Sequence, residues 1–202
     1  MGPNYDPATQ LPGTFVYTVP GGGGCPSQSA TVTVSEITAP NAGVNSVLAV
    51  CSNSVAVNLY TTLGGAPSAG GTWSGPSPVV ANLYNPVTMN PGAYVYTVLG
   101  TAPCANATAT VTVSENTPSN AGLNAPLTVC ANGAPVNLYT TLGGAPSAGG
   151  VWSGPSPVVG NMYDPVTMNP GAYMYTVLGT APCANAAATV TVSATAPPDA
   201  GI

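Results

Sequence analysis

The sequence predicts an all-β protein: tandem β-sandwich domains with a period of 79 residues, stacked into an extended rod. Three observations lead there. The stretch VNLYTTLGGAPSAGG at Val57–Gly71 returns letter for letter at Val136–Gly150. Between Val57–Ser114 and Val136–Ser193 only six of 58 positions differ, so the chain is an array of one unit. The apolar residues alternate with a period of two rather than 3.6, and 25 glycines and 23 prolines punctuate the alternating runs.

Each unit opens on a short apolar run, SVLAVC at Ser46–Cys51 or APLTVC at Ala125–Cys130, which reads as a strand. VAVNLYTTL (Val55–Leu63) and GGTWSG (Gly70–Gly75) read as two more, rich in side chains that suit a pleated surface. GAYVYTVLG (Gly92–Gly100) and GAYMYTVLG (Gly171–Gly179) follow a Pro-Gly turn, where proline presets φ and glycine supplies a positive one. In these strands Tyr94 and Tyr96 share one face, and Val95 and Thr97 share the other. The unit closes on TATVTVSE (Thr108–Glu115), matched by AATVTVSA (Ala187–Ala194) and SATVTVSE (Ser29–Glu36). Valine alternating with threonine is the pattern of a strand with one face buried. No stretch reads as a helix, because proline interrupts each candidate.

The repeat divides the chain into residues 1–39, which match the back half of a unit, full units at 40–117 and 118–197, and 198–202, which match the opening of a unit. Both ends read as cuts through a longer array. A unit of about 80 residues has a thin core and gains from a covalent staple. The Thr/Pro-rich joints Glu36–Gly43, Glu115–Gly122 and Thr195–Gly201 read as short, stiff linkers.

The chain contains no lysine, arginine or histidine, and five acids: Asp6, Glu36, Glu115, Asp164 and Asp199. Absent cations exclude the electrostatic footprint of a nucleic-acid or anionic-membrane binder. They also remove every trypsin-type cleavage site, which fits an exposed extracellular location. No apolar run reaches the ~20 residues of a membrane-spanning helix, and no signal-peptide pattern follows Met1. Ser-His-Asp, Schiff-base and arginine-clamp chemistries lack their residues. A carboxylate pair would need Asp164, which its equivalent Asn85 replaces, so the acids read as solvated loop residues. No Asp/Gly cluster suggests calcium. The expectation is a non-enzymatic protein with no catalytic residue, no cofactor and no metal.

Each full unit holds two cysteines 53 residues apart, and the simplest pairing is Cys51 with Cys104 and Cys130 with Cys183. Cys25 is left unpaired, its partner position lying before Met1. Paired cysteines in small β-domains indicate an oxidising compartment. Buried free thiols are the alternative; a zinc site lacks histidine and any C-x-x-C pair. The recurrent tyrosines Tyr94, Tyr96, Tyr173 and Tyr175 are candidates for stacking on sugar rings. The competing reading places the large aromatics in the core, with Trp73 over the disulfide.

The blocks GGTWSGP at Gly70–Pro76 and PGAYVYTV…PC…ATVTV within Pro91–Val113, with the recurring Asn-Ala-Gly, carry a resemblance that spans essentially the whole chain. They resemble the Ig-like tandem repeats of very large Bacteroidota surface proteins, type IX-secreted and including gliding-motility adhesins. The resemblance implies Ig-like sandwiches, a bacterial cell-surface or extracellular location, and a stalk or filament attached to surfaces or polysaccharide. Its implied partners are neighbouring repeats and surface polysaccharide. Self-assembly of chains by strand complementation at the half-unit is a second reading, and a carbohydrate-binding module a third.

Overall fold

The computed structural model describes residues 4–198. The tetrapeptide Asp199–Ile202, with the acid Asp199 and most of the predicted 198–202 segment, lies outside them. The regular secondary structure of the described residues is almost wholly β-strand. A first hairpin joins β1 (Gly13–Val19) and β2 (Gln28–Val34). Next come β3 (Ser46–Cys51), β4 (Val57–Asn58), β5 (Thr72–Ser74), β6 (Leu83–Tyr84), β7 (Gly92–Val98) and β8 (Ala107–Asn116). The set then recurs as β9 (Ala125–Cys130), β10 (Val136–Asn137), β11 (Val151–Ser153), β12 (Met162–Tyr163), β13 (Gly171–Val177) and β14 (Ala186–Thr195).

In each full unit a four-stranded sheet, β3-β8-β7-β5 or β9-β14-β13-β11, faces a two-stranded ribbon, β4-β6 or β10-β12. β5, β7 and β8 pair antiparallel, whereas β3 lies parallel to β8, with Ser46 opposite Val111 and Cys51 opposite Asn116. The third unit repeats this, with β9 parallel to β14.

The alternation read from the sequence sets the faces. Ala109, Val111 and Val113 of β8 point inward, and the threonines between them point out. Tyr94, Tyr96 and Val98 of β7 join them, and Leu59, Leu63 and Tyr84 close the core from the opposite side. A separate core of equivalent residues fills the third unit.

One predicted strand is corrected. Only Val57–Asn58 of the Val55–Leu63 run is extended; Tyr60–Thr62 form a 3-10 turn, and in the third unit the turn starts one residue earlier, Leu138–Thr141 forming a single α-helical turn, α1. The cause is the asparagine before each turn. Asn58 Oδ1 accepts from the backbone N–H of Tyr60 at 2.9 Å, and Asn137 Oδ1 does the same for Tyr139. This side-chain cap offers the backbone an alternative to the ladder.

The verbatim repeat is a loop held from several sides. Asn41 Nδ2 donates to the Gly65 and Ala66 carbonyls at 2.6 and 3.0 Å, and its Oδ1 accepts from the Gly43 N–H at 2.8 Å. Tyr60 donates to the Pro67 carbonyl at 2.6 Å, and Tyr96 to that of Ser68 at 2.9 Å. A Cβ on Gly71 would lie 2.5 Å from the Tyr96 ring, so only glycine fits there. Asn120 makes the equivalent contacts in the third unit.

Candidate functional site: the joint between repeats

The disulfide of the described chain joins Cys51 of the second unit to Cys183 of the third, with Cα atoms 4.9 Å apart. The expected pairs Cys51–Cys104 and Cys130–Cys183 do not form; Cys25, Cys104 and Cys130 are free thiols. The parallel pairing of β3 with β8 is the reason. It places Cys51 beside Asn116, at the end of β8, whereas Cys104 precedes the start of β8. A ten-residue strand at ~3.3 Å per residue separates the two ends by about 30 Å. A disulfide needs Cα atoms within about 7 Å. The two cysteines of one unit therefore sit at opposite ends of it, and the loop between β13 and β14 of the next unit brings Cys183 to Cys51.

Hydrogen bonds flank this bond. Asn116 Nδ2 donates to the Ala181 carbonyl at 2.6 Å, and Ser119 Oγ donates to the Leu178 carbonyl at 2.7 Å. Cys183 Sγ lies 3.2 Å from the Asn116 carbonyl oxygen. Both half-cystines are 6% exposed, while the equivalent Cys130 and Cys25 are open to solvent. Burial at these positions is thus supplied by the neighbouring unit.

The first joint follows the same plan with fewer contacts. The Cys104 thiol donates to the Ile37 carbonyl at 3.5 Å, and Ile37 is the residue equivalent to Asn116. Ile37 and Pro40 stand where Asn116 and Ser119 stand, and neither carries a side-chain donor.

The four tyrosines proposed to stack on ligands are core residues. Tyr94 and Tyr173 are 0% exposed, and Tyr96 and Tyr175 are 1% exposed, so their rings offer no face to a sugar. Each hydroxyl is satisfied internally: Tyr94 donates to the Asn90 carbonyl and Tyr96 to that of Ser68, with the same pattern for Tyr173 and Tyr175. Trp73 is half-buried, 5.0 Å from the Tyr96 ring, and donates its indole N–H to Asn82 at 2.9 Å. The intra-unit disulfide expected beneath it does not form.

The acids divide into two kinds. Asp164 accepts from the Val166 N–H and Thr167 hydroxyl, and Asn85 accepts from the equivalent Val87 N–H, so either residue builds this turn. Glu36, exposed and beyond the end of β2, is the solvated loop acid expected, whereas Glu115 differs from that expectation. Glu115 ends the inward face of β8, half-buried, and accepts a hydrogen bond from Tyr84, as Glu36 does from Tyr5. The signal was present in the sequence: Glu115 continues the parity of Val111 and Val113. Burial, and then the Glu115 carboxylate, raise the Tyr84 phenol above its ordinary value of 10.0. Tyr163, whose unit has Ala194 in place of the acid, is raised chiefly by burial.

Compared with family models and with curated proteins, the sequence matches none.

Proposed function

We propose that the chain is a non-enzymatic structural segment of an extracellular adhesin or surface filament, a protease-resistant stalk on the bacterial surface. The observation that carries this reading is the covalent bond between consecutive units. A bond that crosses a joint transmits tension from one unit to the next, and an active site has no use for it. The absence of lysine and arginine, the use of tyrosines as core and the resemblance to surface-protein repeats support the same reading. The Cys51–Cys183 bond closes a loop of 132 residues, so a pull on both ends bypasses most of both units.

Stretching single molecules tests it. Reduction should lengthen the fully extended chain by about 450 Å, the contour of 132 residues at ~3.4 Å each. A gain of about 180 Å in two separate steps would mean 53-residue loops inside each unit and would refute the joint-bonded stalk.

A further inference from the structure

We propose that the free edge of β3 in the second unit pairs antiparallel with β3 of a second copy of this chain, joining their two four-stranded sheets into one. The contact is lateral, between chains side by side, and does not rest on the stalk reading.

β3 is an outer strand of its sheet, bonded to β8 on one side only. Its backbone direction follows from the ladder. Ser52, just past the strand, donates its N–H to the Asn116 carbonyl at 2.9 Å. Residues of that parity, Ser46, Leu48 and Val50, therefore turn their backbone groups toward β8, and Val47 and Ala49 turn theirs away. The third unit supports the assignment. β9 keeps the same register on β14, with Pro126 opposite Thr191 as Val47 lies opposite Thr112. Proline fits there because that position contributes no N–H to the ladder. Among the described residues no hydrogen bond reaches the outward groups of Val47 or Ala49. Val47 is 86% exposed, and Ala49 is exposed beside it.

Open edges are ordinarily blunted by lysine, by proline, by a bulge or by shortness. The edge of β9 carries Pro126, and the opposite edge of the second unit's sheet, β5, is three residues long. β3 has six residues, SVLAVC, with no proline and no charge. The edge is also its own complement, which selects a second copy as the occupant. A two-fold axis at Leu48 sets Val47 against the second copy's Ala49, and Ala49 against the second copy's Val47. Both pairs then exchange N–H and C=O, as facing residues of an antiparallel pair do. The same register keeps Val47 and Ala49 on the outer face of both sheets and Leu48 on the core side of both, so no side chain changes face. The pairing stops at Cys51, whose carbonyl already accepts from the Ser54 N–H at 2.9 Å. Such a contact is isologous and closes as a dimer.

The test takes the full 202-residue chain, its free thiols blocked with iodoacetamide and the Cys51–Cys183 bond left intact. Sedimentation equilibrium from about 10 μM to about 1 mM should show a reversible monomer–dimer equilibrium. Hydrogen exchange at the Val47 and Ala49 amides should slow as concentration rises. Val47→Pro copies the third unit, which holds proline at this position in the same fold, and removes a donor from each copy. It should raise the dissociation constant by about tenfold or more. Val47→Lys keeps the backbone donor, places a cation on each side of the axis and should weaken the dimer as well; it decides the matter if Val47→Pro melts below the parent. Pro126→Val opens the edge of β9 and should carry association beyond the dimer. A parent that stays monomeric to about 1 mM overturns the proposal. So do variants that dimerise as the parent does, and so does association that leaves the Val47 and Ala49 amides unprotected, which would place the contact elsewhere, such as on the uncovered β1–β2 hairpin. None of these outcomes touches the stalk reading, whose test is the lengthening of the chain on reduction.

Discussion

The hairpins β1–β2 and β7–β8 have the same register over seven rungs, Gly13 opposite Val34 in one and Gly92 opposite Val113 in the other. Their surroundings differ. Tyr17 is 67% exposed where its equivalent Tyr96 is 1% exposed, and Val32 is 62% exposed where Val111 is fully buried. The difference is the front half of the unit. Leu59, Leu63 and the flanking strands cover β7–β8, and among the described residues β1–β2 has no such cover, leaving a groove lined by Tyr5, Phe15, Tyr17 and Val32. Strand pairing is local to the hairpin; the core is made by residues about 30 to 50 positions away. The joints differ in the same way. The second is closed by a disulfide and two side-chain hydrogen bonds, whereas at the first Cys104 reaches only a backbone carbonyl.

The largest expected effect comes from making the second joint resemble the first. C183S should lower resistance to chemical denaturation by up to about 5 kcal/mol, the chain-entropy value for a loop of this length. C104S, which breaks no bond, should change it by less than about 0.5 kcal/mol. Equal effects would break the comparison. Next is the core. Tyr96→Ala should cost about 3–5 kcal/mol, the usual range for deleting a buried aromatic ring. Tyr17→Ala, at the same place in the uncovered hairpin, should fall within about 1 kcal/mol of the parent in thermal melting. A smaller effect tests the joint directly. Ile37→Asn gives the first joint the donor that Asn116 provides at the second, aimed at the Ala102 carbonyl. Hydrogen exchange at residues 100–104 should slow, by the equivalent of about 1 kcal/mol for one net hydrogen bond.

The smallest effect at neutral pH is electrostatic. The Tyr84 and Tyr163 phenols are raised in the folded chain, so the unfolded chain ionises first. Their contribution is intact below pH 10 and is lost as pH climbs through the folded values. Glu115→Gln should weaken the rise at Tyr84 and bring the second unit's alkaline unfolding profile closer to that of the third.

Much of the architecture was legible in residue patterns. The Val/Thr alternation of β8 and the paired tyrosines of β7 gave the inward faces, because a strand places alternate residues on opposite sides whatever it packs against. The helical turns at Tyr60 and Leu138 were missed. Their cap is a single asparagine, which reads equally as a turn residue between strands. The tyrosine rows were legible as a shared face, but parity does not say whether that face meets water or a second sheet.

The sequence by itself determined the unit, its length, its strand faces and the equivalence of Cys25, Cys104 and Cys183, since these follow from periodicity. Only the tertiary structure decided which cysteines meet. Had β3 run antiparallel to β8, Cys51 would have ended near Cys104, and the intra-unit pair would have been within reach. The parallel arrangement carries Cys51 to the other end of the sheet, and strand direction is a property of the chain's path that no run of residues encodes locally.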